Sequence, residues 1–310
     1  MMRPVAMAFG VLGMFGALVL GAGQAIAQPV DTLRATPLPG VDFVDARAIG
    51  VDPFGGVYVA DAGRDVIYTM NGRGGRSAVL GGPGSQEGAF DDPVDVDPTN
   101  GLVLYVADAG NRRIQIFSRS GAYLGAVPLM RTDEDISARV TYRRQDEAAA
   151  DYSFGIPVAV ATSSANEIFA VDADRGVVRK WDQDRRPAGV IGGIDAGRGA
   201  LVDPVDIAVG ADRLLYVADR GAESLMVYDQ YGTFVRTIGS GLAGLRAVVV
   251  DGGRVYAVLA HSLVAYDETG RFERCLEIDM DTHIVDVAAG TDGTLYVLGV
   301  QRMYLLAPAE

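Results

Sequence analysis

The chain is short of the residues that most catalytic and cross-linked proteins depend on. It has one cysteine, Cys275, two histidines, His261 and His283, and one tryptophan among 310 residues. A single cysteine forms no internal disulfide, so the fold must stand on packing. Cys275 lies in an apolar alternation with Phe272, Leu276 and Ile278. It therefore reads as a buried strand residue, with no electropositive neighbour to make it a nucleophile. Two histidines cannot supply a three-histidine zinc site, although histidine plus carboxylates remains open. No H-x-x-x-H, G-x-S-x-G or C-x-x-C spacing occurs, so nucleophilic or zinc hydrolysis has no motif behind it. Positive charge is also in deficit, with 27 Lys and Arg against 40 Asp and Glu, a net of −13. Such a surface repels phosphate backbones and anionic lipid, which excludes general nucleic-acid binding.

Long apolar runs are confined to one place. Arg3 precedes an apolar stretch from Val5 to Leu20, and Ala25-Ile26-Ala27 forms an A-x-A cleavage pattern before Gln28. Residues 1–27 are thus expected to be a secretory signal peptide, cleaved after Ala27 and placing the mature chain outside the cell or in the periplasm. An uncleaved anchor is the rival reading, since the stretch approaches spanning length. Past Ala27 no run of that length recurs, so no stable membrane insertion is expected once the leader is gone. Removing the leader takes away only Arg3 and leaves the chain one unit more acidic.

What the chain has in abundance is punctuation and repetition. Its 40 glycines and 13 prolines suit short strands with tight turns and oppose long helices. Tyr105-Val106-Ala107-Asp108 recurs as Tyr58-Val59-Ala60-Asp61 and Tyr216-Val217-Ala218-Asp219. Weaker copies begin at Phe169, Tyr256 and Tyr296, which makes successive spacings of 47, 64, 47, 40 and 40 residues. A period of 40–47 residues with several strands per unit is the spacing of propeller blades. The second unit predicts strands at 93–97, 102–107, 113–118 and 122–129, with Asn100-Gly101, Gly110-Asn111 and Ser120-Gly121 in the turns. Residues 81–96 also align without a gap on residues 192–207, both carrying D-P-V-D, which predicts equal loop geometry at two junctions.

These motifs resemble the NHL repeat family. The match is closest at Pro93-Val94-Asp95-Val96-Asp97 and at Leu104 to Phe117 (LYVADAGNRRIQIF). It runs through nearly the whole mature chain and weakens in units five and six, which lack the Asp after the second strand. The resemblance implies an all-β fold over residues 28–310, a six-bladed β-propeller of four-stranded blades. Units are expected to start near residues 46, 92, 156, 203, 245 and 283. The last unit has only three strands before the chain ends, and residues 31–38 read like a fourth strand. The N-terminal strand is therefore expected to close the last blade and so remove an exposed edge. The 64-residue step holds a charged insertion, 131–153, where 10 of 23 residues are charged. It reads as a solvated loop or a functional one.

Propeller geometry then nominates sites. Residues leading each first strand should ring the channel mouth: Arg47, Asp92, Ile156, Asp203, Arg246 and His283. Further along, Gly50, Asp95, Ala159, Asp206, Val249 and Asp286 should share one register. An axial pocket of Arg47, Asp92, Asp95, Asp203, Asp206, Arg246, His283 and Asp286 would accept a small polar ligand. A hard cation such as Ca2+ would fall to Asp95, Asp206 and Asp286. Equally, such carboxylates accept backbone hydrogen bonds, and opposite charges at the mouth pair with one another. The aspartates ending the Y-V-A-D copies (Asp61, Asp108, Asp172, Asp219) are expected to form Asx-turns. The turns beyond them carry Arg64, Asn111, Arg112, Arg113, Arg175, Arg220 and Glu223, a candidate partner face on an acidic protein. Trp181 stands where other units have Met70, Phe117, Tyr228 or Tyr266, and should pack between blades. No cofactor is firmly implied. The resemblance favours a binding or scaffolding module for a protein, peptide or glycan partner. The alternative is a metal-dependent lyase or lactone hydrolase in the channel, since relatives of this architecture place a cation there.

Overall fold

Alternation at period two, interrupted every five or six residues by a turn, leaves short strands that must pair with near neighbours. The turns are closed by side chains. Asp52 Oδ1 accepts the amides of Phe54 and Gly56, both at 2.8 Å, and Asp229 Oδ1 those of Tyr231 and Thr233, at 2.9 and 2.8 Å. Asn71, Asp182 and Asp267 repeat the device. Such Asx-turns fix hairpins locally, so each unit folds back on itself as a meander. The computed structural model describes residues 30–40, 42–129 and 155–306. Among them are 24 strands and one short 3-10 helix, Ile194–Gly199. The expected leader, 1–27, and the charged insertion, 131–153, lie outside the described residues. No helix among those described is long and apolar enough to cross a membrane.

The chain opens with β1 (Val30–Pro37). Four antiparallel sheets of four strands follow, each in sequence order from one edge to the other. The first holds β2 (Ala46–Val51), β3 (Gly56–Asp61), β4 (Val66–Asn71) and β5 (Arg76–Gly81). The second holds β6 (Pro93–Asp97), β7 (Val103–Asp108), β8 (Arg113–Ser118) and β9 (Tyr123–Pro128). The third holds β10 (Pro157–Thr162), β11 (Ile168–Asp172), β12 (Val177–Trp181) and β13 (Pro187–Ile191). The fourth holds β14 (Pro204–Val209), β15 (Leu215–Asp219), β16 (Ser224–Tyr228) and β17 (Phe234–Ile238). The remaining strands are β18 (Ala247–Asp251), β19 (Arg254–Val258), β20 (Ser262–Asp267), β21 (Phe272–Asp279), β22 (Asp286–Ala289), β23 (Leu295–Leu298) and β24 (Met303–Leu306).

These last seven join β1 in one eight-stranded sheet, in the order β18-β19-β20-β21-β1-β24-β23-β22. Ala35 to Pro37 pair antiparallel with β24, as the sequence led us to expect. Val30 to Arg34 also pair parallel with β21, from Val30 opposite Cys275 to Arg34 opposite Asp279, which sequence did not suggest. The N-terminal strand thus covers two edges at once.

The strands that begin each sheet or half-sheet, β2, β6, β10, β14, β18 and β22, pack side by side, and β22 returns against β2 to close a ring. Between successive sheets lie six apolar cores. The second and third strands are buried throughout, whereas outer strands such as β5 and β13 face solvent. Trp181 and its counterparts Met70, Phe117, Tyr228 and Tyr266 are buried at sheet-to-sheet contacts, and so is Cys275 within β21. Fully burying one such side chain contributes roughly 1.5–3 kcal/mol.

The two aligned junction loops share one lock. Gly81 and Gly192 both take left-handed φ, 88° and 79°. A Cβ on Gly81 would meet Phe90 Cδ2 at 2.2 Å, and one on Gly192 would meet Leu201 Cδ1 at 2.4 Å. Only glycine lets the following apolar side chain fold down over the turn. Between those anchors the loops differ, since the 3-10 helix occupies only the second.

Candidate functional site

A channel of about 160 Å3 runs between the ringed first strands. In four of those strands the pairing register slips by one after the first residue, as between Pro93 and Asp95 and between Pro204 and Asp206. Such bulges re-aim the next side chain. Pairing with the second strands then fixes the level of each residue. Asp95, Asp206 and Asp286 stand opposite Ala107, Ala218 and Leu298, and the same level in the other three first strands is held by Ala48, Ala159 and Ala247. Aspartate and alanine thus alternate at one level of the six first strands, the alanines lying in the cores between sheets. This corrects the expectation for Gly50 and Val249, which lie two residues deeper, beside Asp97. Aligning β2 and β18 two residues out hid the true register.

Each aspartate reaches across to the next sheet. Asp95 Oδ1 accepts the Val96 amide at 2.7 Å and Oδ2 accepts that of Val160 at 2.6 Å. Asp286 Oδ1 accepts from Val287 at 2.7 Å and Oδ2 from Ile49 at 2.9 Å. Asp206 Oδ2 accepts from Val248 at 2.7 Å. The three carboxyls are therefore clasps between neighbouring sheets, three of them around one ring. One level deeper, Asp97 accepts from Thr99 Oγ1 at 2.5 Å and from Thr162 Oγ1 at 2.7 Å.

Among the described residues, no cationic side chain lines this channel. Burial, reinforced by the negative charge of Asp286, pushes Asp95 up to about 8 against the pull of its two amides. Burial raises Asp206 well above the ordinary carboxyl range, with Asp95 and Asp286 adding to it. Asp286 is pushed up to about 6 by burial, opposed by the Ile49 and Val287 amides. Asp97 is likewise raised by burial and held back by its threonine donors. The ring consequently retains protons into the neutral range, because carboxylates at one level of a narrow channel resist ionising together. Among the described residues, no group of three or more His, Cys, Asp or Glu side chains is arranged to hold a metal ion. Of the six carboxyl oxygens of Asp95, Asp206 and Asp286, five already accept backbone amides, which spends the donor set that Ca2+, with its roughly six to eight oxygens, would need.

The mouth residues stand apart from this lining. Asp45, Asp92, Ile156 and Asp203 share one level, each accepting an amide from the turn after the second strand. Arg47 and Arg246 belong two residues further in, at the level of Val94, so the single mouth ring read from sequence mixes two levels. Arg47 pairs with Asp45 at 2.7 Å and Asp203 with Arg220 at 2.8 Å. Burial raises the Asp92 carboxyl, while Arg47 pulls it down. His283 is lowered by burial, then by Arg246 and His261, which places those three side chains together.

The four Y-V-A-D aspartates are fully buried. Their backbone partners lie mainly in the loop leading into the first strand rather than in the following turn, where Ala222 donates to Asp219 at 3.1 Å. Asp61 accepts the Val44 and Asp45 amides, Asp108 that of Asp91, Asp172 that of Ile156, and Asp219 those of Val202 and Asp203. Much of the candidate partner face serves these carboxylates. Arg64 pairs with Asp61 at 2.9 Å, Arg113 with Asp108 at 2.8 Å and Arg175 with Asp172 at 3.7 Å. Asn111 donates to Asp108 at 2.9 Å, while Arg112 and Glu223 hold left-handed turn positions at φ 56° and 49°. Arg220 and Glu223 face solvent. Sequence reasoning missed Gln115, fully buried, whose Nε2 donates to Asp108 at 2.9 Å and to the Ala89 carbonyl at 2.6 Å. Its signal was a polar residue inside an apolar third strand, where the third sheet carries Arg179. Also missed were the exposed apolar side chains Ile194, at 91%, and Val202, at 67%.

No family model matches the chain, and no curated protein matches it. Solved structures do. A streptogramin B lyase structure superposes with a TM-score of 0.60 at 11% identity, over 89% of this chain and 97% of its own. The virginiamycin B lyase of Staphylococcus aureus does so with a TM-score of 0.57 at 12% identity, over 85% and 95%. The chain is an all-β protein of propeller type, similar in fold to these lyases.

Proposed function

We propose that the protein is a binding or scaffolding module, an exported six-bladed propeller of NHL type that engages a protein partner through the face at the channel mouth. The ring of six first strands supports counting the eight-stranded sheet as two blades stapled by β1, and the leader at 1–27 supports export. One observation carries the binding reading. At the junction of the third and fourth sheets, Ile194 and Val202 expose most of their surface, and Arg220 and Glu223 of the following turn are exposed as well. Val202 rests on the Arg220-Gly221 turn, where a Cβ on Gly221 would lie 2.6 Å from Val202 Cγ1. Exposed aliphatic side chains next to arginine are the composition of an interface, not of a solvated loop. The test is capture of envelope proteins by the mature chain, wild type against Ile194→Asp/Val202→Asp. A partner retained by wild type and lost by the variant is the expected result. Equal retention by both refutes the assignment of this face.

A second reading, a lyase or lactone hydrolase acting in the channel, draws support from the proton-retaining carboxyls, because an acid kept neutral near pH 7 is suited to general acid work. Turnover of a streptogramin B substrate or a lactone, lost on Asp95→Asn, would favour it over the binding module.

A further inference from the structure

A wide cleft among the described residues lies away from the channel, and its chemistry is the reverse of the chain's. It is a cleft of about 920 Å3 between the N-terminal crossing at Pro39, Gly40 and Asp42 and the hairpin joining β4 to β5. That size falls within the range of small-molecule sites, about 300–1,000 Å3. The crossing and the hairpin meet backbone to backbone: a Cβ on Gly40 would strike the Gly74 carbonyl at 2.2 Å, and one on Gly74 the Pro39 carbonyl, also at 2.2 Å. Both glycines have positive φ, 145° and 84°, so the cleft rests on a close approach that other residues would wedge apart.

Its lining is rich in donors and poor in acceptors. Arg64, Arg73 and Arg76 all contribute to the wall. Arg64 is held in place by donating to the Asp42 carbonyl and to Asp61 Oδ2, both at 2.9 Å. Arg73 and Arg76 are exposed, and among the described residues neither side chain has a hydrogen-bond or ion-pair partner. Asn71 spends its Oδ1 on the amides of Arg73 and Gly75, at 3.0 and 2.9 Å, which leaves its Nδ2 to donate. Tyr68 stands buried at the base, its ring 5.6 Å from Phe43. The only carboxylate is Asp42, 82% exposed and turned to Arg302 at 3.5 Å. Two guanidinium groups thus stand exposed on one wall of a chain whose net charge is −13, ready to receive an anion.

We propose that this cleft is a binding site for a small polyvalent oxyanion, a molecule carrying two or more carboxylate or phosphate groups. Arg73 and Arg76 grip the charged groups and Asn71 adds a neutral donor, while Arg64, already paired with Asp61, closes the wall. The occupant bridges the N-terminal crossing and the first sheet, so binding also tightens the junction where the chain's start meets the ring. This site is independent of the partner face at Ile194 and Val202.

Isothermal titration of the mature protein at low ionic strength tests it, with citrate and pyrophosphate as probes and glycerol as the neutral control. We expect saturable binding of one probe per chain, weakened by added salt, and a melting temperature raised by that probe. Citrate alone would identify a carboxylate ligand, pyrophosphate alone a phosphorylated one, and both a site that reads charge. In Arg73→Ala/Arg76→Ala, whose side chains lie on the surface, affinity should fall about 10- to 100-fold while the unliganded melting temperature stays put. Absence of saturable binding by either probe, or equal affinity in the double variant, overturns the proposal.

Discussion

Asp95 provides the sharpest quantitative test of the channel. Its carboxyl is pushed from an ordinary 3.8 to about 8 in the folded chain. Between those values the unfolded chain has released its proton while the folded chain still holds it. Stability changes with pH as the number of protons bound by the unfolded state minus that bound by the folded state, so here it falls as pH rises. The loss begins near pH 4, is complete above about pH 8, and has the opposite sign to that of an ion-paired aspartate. One fully retained proton corresponds to a slope of about 1.4 kcal/mol per pH unit. At pH 7 this sets an upper bound of about 4 kcal/mol, which solvent in the channel screens to about 1–2 kcal/mol. Asp95→Asn removes the titration. It also turns one acceptor into a donor facing an amide, Val96 or Val160, at a cost of about 1 kcal/mol that does not vary with pH. The absolute stability at any one pH is thus a poor readout, whereas the slope isolates the carboxyl. Urea unfolding of wild type and variant at pH 5, 6, 7 and 8 should show the variant's curve flatter by about 0.3–0.7 kcal/mol per pH unit. Its melting temperature relative to wild type should rise by a few degrees from pH 5 to pH 8. Parallel curves for the two proteins would refute the account of a proton-retaining ring.

Other parts of the argument can be tested as directly. Gln115→Leu leaves the Gly88 amide without its acceptor and removes one of three donors to Asp108 Oδ2, where Asn111 and Arg113 remain, and should cost about 1–2 kcal/mol by denaturant midpoint. Gly192→Ala forces a Cβ into Leu201 at left-handed φ, and should cost about 2 kcal/mol with the channel residues untouched. Deleting residues 28–40 strips β1 from both β21 and β24 and should lower the melting temperature by about 10 °C or more, since two sheet edges open together. Dialysis of the wild type against a chelator should leave its melting temperature unchanged, because five of the six carboxyl oxygens of the ring are engaged by backbone amides.

How much of this was legible in the sequence depends on the range of the interaction that decides each feature. Strands set by local alternation and Asx-turns were readable: β6 and β8 fall at the expected residues, and β1 was recognisable because residues 31–38 carry the pattern of an outer strand. The channel residues Asp95, Asp206 and Asp286 were found because D-P-V-D repeats and because Asp286 leads a similar strand. Their sharing a level with Ala48 and Ala247 was not found, since aligning the starts of β2 and β18 two residues out changes which residue shares the level. Nor were their partners visible. Asp95 clasps Val160, 65 residues away, and Asp286 clasps Ile49, 237 residues away. Such bonds exist only once the ring has closed, and nothing in local spacing encodes them. The same holds for Asp108, which reads as a turn residue because Ala109-Gly110-Asn111 follows it, yet spends an oxygen on the Asp91 amide 17 residues earlier. The long-range clasps also explain the choice of aspartate in the channel. A carboxyl there is penalised by burial and by its neighbours, and a purely apolar ring would avoid that penalty. What the carboxyl supplies is a pair of acceptors that fix the next strand's amide at one height. Repeated in alternate sheets, the clasp sets the register of six first strands around a single axis.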